Sequence, residues 1–146
     1  MNTHKFIRTS LWIWGIIHVA SALGLLFSPV WFFENIGPFA PFNRHYEGDT
    51  GAFLLPFGLM VILAAQDPQR HYLVIGAAAA ASFLHALNHI YDALLIQADF
   101  SGWLRDPLPL TILAIWMIVV AYHVLQANNL FVRRTHANTP NSKPET

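Results

Sequence analysis

From Tyr72 to Ile96 the chain contains no Lys, Arg, Glu or Pro, and its only acid there is Asp92. At about 1.5 Å of rise per residue, a helix of that length crosses a hydrocarbon layer about 30 Å thick. No water reaches the backbone inside such a layer, so an uninterrupted apolar run can satisfy its own N–H and C=O groups only as a helix. Yet the second half of the run carries His85, Asn88, His89 and Asp92. At about 100° of rotation per residue, His85, His89 and Asp92 fall within about 60° of one another, with Asn88 beside them. The same face continues backwards through Ala78, Ala81 and Ser82, all small, while Phe83, Leu87, Ile90 and Leu94 occupy the other side. One side suits lipid, and the other suits close packing around a buried polar site. On this reading the helix is the central one, and its small face touches the first or second span.

Three more apolar runs accompany it, giving spans at about 9–27, 49–65, 72–96 and 108–126. The composition agrees, with 55% hydrophobic and 11% charged residues, against about 25% charged in a soluble domain. The expected fold is all-α, an integral membrane bundle of four transmembrane helices over residues 1–134. A polar, proline-bearing stretch at 135–146 reads as a disordered cytoplasmic tail. Ala20-Ser21-Ala22 resembles a signal-peptidase site, but the apolar run continues to Phe27, so the first segment is expected to stay as a span. Residues 28–47 form a loop rich in Pro, Trp and Phe that suits the membrane interface. Pro56 falls inside the second span and should free the Ala52 carbonyl from its helical bond. With the N-terminus inside, Lys5, Arg8, Arg70, Arg133, Arg134 and Lys143 lie on the inner side, and only Arg44 and Arg105 outside. That distribution predicts an N-in, C-in multi-pass protein of a bacterial inner membrane.

The polar residues suggest three kinds of site. His85 and His89, four apart on a helix, can both ligate one divalent transition metal, and Asp92 one turn on can add an oxygen. Asp49 and His45 from the second span and His18 from the first complete the candidate ligands. His18 and His85, on different helices, are also candidates to bind haem b between two imidazoles. The competing readings are a proton or hydrogen-bond relay, since an ionisable group within a membrane helix is seldom idle, and a purely structural polar network. Glu47 and Asp49 are candidate catalytic acid and base. Asp49-Thr50-Gly51 matches the aspartic-protease triplet, but it occurs once and opens a membrane helix, whereas that chemistry needs two such carboxylates. The chain has no cysteine, which excludes disulfides and thiolate chemistry. Neither a phosphate-binding loop nor a basic nucleic-acid surface is present, so no nucleic-acid partner is expected.

Asn43-x-His45-Tyr46-x-x-Asp49-x-Gly51, followed by His85-x-x-x-His89, resembles a family of small four-helix bacterial membrane proteins without an established activity. The likeness spans roughly residues 10–127, and the topology alone is similar to DoxX-type proteins. It implies the four-span architecture and the choice of site; where the family pattern often has a basic residue, Glu47 makes this site more acidic. Two functions follow as expectations. One is a metal-dependent membrane enzyme acting on a lipid-soluble small molecule from an outward-facing His/Asp pocket. The other is a non-enzymatic carrier, proton relay or partner subunit, alone or as a homo-oligomer in the lipid bilayer.

Overall fold

The computed structural model of the chain describes residues 2–38 and 40–137, with the backbone alone described from 129 to 137. Six helices follow in order: α1 (Thr3–Phe27), α2 (Pro29–Asn35), α3 (Arg44–Gln66), α4 (Tyr72–Leu95), α5 (Phe100–Arg105) and α6 (Pro107–Ala137). No strand occurs among the described residues. Four helices are long and apolar enough to cross a membrane: α1, α3, α4 and the stretch from Phe100 to Asn128 that contains α5 and most of α6. The described residues form an all-helical fold compatible with a multi-pass membrane protein.

The long helices outrun the apolar spans because polar caps start them earlier. The Asn2 side chain accepts from the His4 amide, and the Asn43 side chain accepts from the His45 and Tyr46 amides. Such caps satisfy N–H groups that have no partner within the helix. The first turn of α3 therefore belongs to what reads as loop, and the rest of that loop folds partly into α2. At the other end α6 continues to Ala137, taking in residues 135–137 of the expected tail. The remainder of that tail lies outside the described residues.

Packing divides the chain into two hairpins. α1 lies against α3, and α4 against α6, while α1–α6 and α3–α4 touch far less. The α1–α3 seam is built on glycine. A Cβ added to Gly15 would stand 2.5 Å from Ile62 Cγ1 and 2.9 Å from the Gly58 carbonyl. One added to Gly58 would stand 2.9 Å from the Val19 nitrogen and 3.0 Å from the Gly15 carbonyl. Gly51, seven residues before Gly58, meets the Ala22 carbonyl in the same way, at 3.0 Å. Backbones approach this closely only where side chains are absent, the usual means of association in a solvent that gives apolar surfaces little reason to separate from it.

This corrects the expectation that the third span is central and that its small face packs on the first or second. α4 belongs chiefly with α6. Ala78 is fully buried, but Ala81 is exposed. The small residues that matter most lie in α1 and α3: Gly15 and Ala22 in one, Gly51 and Gly58 in the other.

The hairpins share one core at the end of the bundle where α1 begins and α6 runs out. Leu11 and Trp14 of α1, Val61 and Ala64 of α3, Ile75 and Ala78 of α4, and Val120 and Val124 of α6 pack together there. At the opposite end, where α2 and α5 lie, no described residue joins that core. The buried residues there, Ala22, Leu25 and Gly51 in one hairpin and Ala86, Ala93 and Pro107 in the other, lie outside it. We refer to these as the closed and the divided ends.

Candidate functional site

Spacing of four brings His85 and His89 to one face of α4, since residues one helical turn apart stand above one another. Their rings lie 4.6 Å apart between centroids, tilted by 57°. His89 Nδ1 is 2.9 Å from Asp106 Oδ2. Asp106 precedes Pro107, the first residue of α6, where a helix N-terminus favours negative charge. A carboxylate can only accept, so with Asp106 ionised a neutral His89 carries its proton on Nδ1. The pair is partly shielded, with side-chain exposures of 18% for His89 and 36% for Asp106.

His85 is exposed and has no hydrogen bond to any described residue. It lies within electrostatic range of His89, Asp106 and His18. His18 projects from α1 of the other hairpin. Its Nδ1 donates to the Trp14 carbonyl at 2.9 Å, which leaves Nε2 open. The His18 ring packs on Trp14 at 4.9 Å and on Phe57 of α3 at 5.1 Å. His85, His89 and Asp106 therefore stand together on the second hairpin, with His18 of the first within electrostatic range, where the shared core gives way to the divided end.

The other expected residues lie apart from this group. Asp49 sits on an exposed turn of α3, where its carboxylate is 3.4 Å from His45 Nε2. Glu47 is buried, 8% exposed. Two positions on a helix differ by about 200°, so Glu47 and Asp49 point opposite ways and cannot act as one acid–base couple. Asp92 accepts from the Asn88 side chain at 3.2 Å rather than joining the two histidines. Among the described residues no three His, Asp or Glu side chains come together as metal ligands. Of the proposed ligand set, His85 stands beside His89 and Asp49 beside His45, while Asp92 bonds Asn88 and His18 bonds Trp14; among the described residues no single pocket joins those of α3 to those of α4. The reason is the hairpin division: α3 and α4 meet only lightly, so the acidic start of one does not reach the polar end of the other.

Asp106 is the residue that the sequence reading passed over. Its signal was depth: it opens α6 at the level where α4 ends, so an antiparallel neighbour would bring it beside His89. No family model, curated protein or solved structure matches the chain.

Proposed function

We propose that this is a multi-pass protein of the bacterial inner membrane whose His85–His89–Asp106 chain relays protons between the divided end and the middle of the bundle. The observation that carries the reading is the 2.9 Å contact between His89 Nδ1 and Asp106, with the tilted His85 ring 4.6 Å from that of His89. A carboxylate orienting one nitrogen of an imidazole fixes which nitrogen can take and release a proton, the arrangement by which histidine shuttles protons. Asp106 stands at the exposed end of the chain and His85 farthest in. A relay is favoured over a metal enzyme because, among the described residues, no three of the candidate ligands come together. Both termini are proposed to face the cytoplasm, on the six-to-two distribution of Lys and Arg across the helix ends. Kinship with the small four-helix family is proposed on the same motif as before, whose histidine half supplies His85 and His89 of the relay.

Nitrogen NMR of histidine-labelled protein in lipid nanodiscs tests the relay. In the native chain His89 should hold its neutral proton on Nδ1. Asp106→Ala should convert it to a mixture of the two tautomers and slow the equilibration of His85 with bulk solvent. An unchanged His89 tautomer in the variant would remove the basis of the reading. Topology is read separately, by reporter fusions near Pro41 and at Thr146; an exported reporter active at Thr146 would reverse the orientation.

A further inference from the structure

The proposed relay has an entrance but, within the protein, no exit. Asp106 connects it to the divided end, and His85 is its innermost member. Beyond His85 towards the closed end, the four helices seal around Leu11, Val61, Ile75, Val120 and Val124, which are fully buried and apolar. The next ionisable side chains in that direction, such as Arg8 and His123, lie at the closed end, where Arg8 Nε donates to the Ala65 carbonyl at 3.1 Å. Protons do not cross such a plug by side-chain exchange, since transfer requires donor and acceptor within hydrogen-bond reach or one bridging water; the His85 and His89 rings, 4.6 Å apart, allow the second, and a plug of Leu, Val and Ile side chains offers neither. A proton that arrives at His85 can leave only to something already in the membrane.

The surroundings of His85 fit such a partner. His85 is exposed, and the core that the hairpins share lies to the closed-end side of it. α1 contributes His18 to its neighbourhood, α4 contributes His89, and the start of α6 contributes Asp106. From α3, Phe57 packs on His18 and gives the wall an aromatic surface. His85 and the open nitrogen of His18 are the polar groups available to a guest. Two imidazoles, cationic when protonated, favour an anion beside them and disfavour a second cation.

We propose, resting on the relay reading, that His85 exchanges its proton with a lipid-soluble oxygen acid that enters between the hairpins. The acid is a phenol or a carboxylic acid whose tail stays in the bilayer. In one direction the N–H bond of the His85 imidazolium breaks as an O–H bond forms on the conjugate base of the acid. The neutral acid then departs into lipid, and neutral His85 is reprotonated through His89 from water at the Asp106 end. The reverse sequence loads the proton back. No electrons move, and each proton taken from one group appears on the next.

The test uses full-length histidine-labelled protein in nanodiscs, titrated with 4-dodecylphenol or dodecanoic acid. Their methyl ether and methyl ester serve as controls that keep the shape but lack the exchangeable proton. The expected result is a saturable shift of the His85 ring nitrogens with one acid or both, which identifies the source, and none with the capped controls. Followed at His89, His85→Asn should raise the half-saturating concentration about tenfold, the loss of one hydrogen bond to a charged group. His85 is exposed, so the variant is expected to fold. No saturable shift with either acid, or equal shifts with the capped probes, would overturn the proposal. The Asp106→Ala measurement uses no ligand, so the relay can stand if this proposal falls.

Discussion

Gly58 and Gly76 both lie within long helices, but only Gly58 is held by its surroundings. A methyl group at Gly58 would press on the backbone of α1, whereas one at Gly76 would meet nothing within 4 Å. Overpacking of this kind costs about 1–3 kcal/mol, while replacing an unconstrained helical glycine with alanine gains about 0.5–1 kcal/mol. Thermal unfolding in detergent should therefore show Gly58→Ala destabilised and Gly76→Ala slightly stabilised. At Asp99, which caps α5, the carboxylate accepts from the Gly102 amide at 2.8 Å and the Ser101 hydroxyl at 2.9 Å. The Gly102 hydrogen bond, with help from Ser101, holds its pKa below the usual carboxylate value. A depressed folded pKa means that the cap contributes fully above the unfolded value, near pH 4, and is lost as pH falls through the lower folded one. The Gly102 amide resonance should stay constant above about pH 4 and move only in more acid solution. At the residue scale the sequence was legible where partners share a helix, as with His85 and His89. It was not legible for Asp106, since a contact across 17 residues depends on which helices pair. A double-mutant cycle should accordingly find His89 coupled to Asp106 and additive with Asp49, whose partner is His45. Coupling between Asp49 and His89 would contradict the separation described above.

Along α4, one turn separates a residue the bundle grips from one it leaves alone. Ala78 has no exposed surface, and Ala81, three residues on, is exposed. Ala78→Leu should unfold the protein at a clearly lower temperature, and Ala81→Leu should leave the melting temperature within a degree or two, since surface changes are usually within about 0.5 kcal/mol. The helix ends in a left-handed turn at Gln97, φ 51°, with the Ala98 amide donating to the Ala93 carbonyl at 2.9 Å. Residues other than glycine lose about 1–2 kcal/mol in that conformation, so Gln97→Gly should raise the melting temperature. Four spans were legible because hydropathy reports what a membrane helix requires. The starts of the first two were not, because Asn2 and Asn43 cap from outside the apolar stretch. The facing of α4 was misread for a different reason. Small residues mark a surface able to pack, but they do not say which neighbour packs there, and Ala77, Ala80 and Ala81 remain open in this chain.

In the molecule as a whole, helices that are consecutive among the long four are the ones that pair, α1 with α3 and α4 with α6. Composition announced the bundle but could not announce this division, because every span is apolar enough to lie beside any other. The division has a consequence for how the protein is made. A ribosome delivers the chain from its N-terminus, so Gly15, Gly51 and Gly58 have all left it before α4 is complete. The first hairpin can close its seam in the bilayer while the second is still being synthesised, and the second needs only its own helices to follow suit. What remains is the docking of two finished pieces at one end. The short turn between Gln66 and Tyr72 then serves as a tether between two separately inserted units.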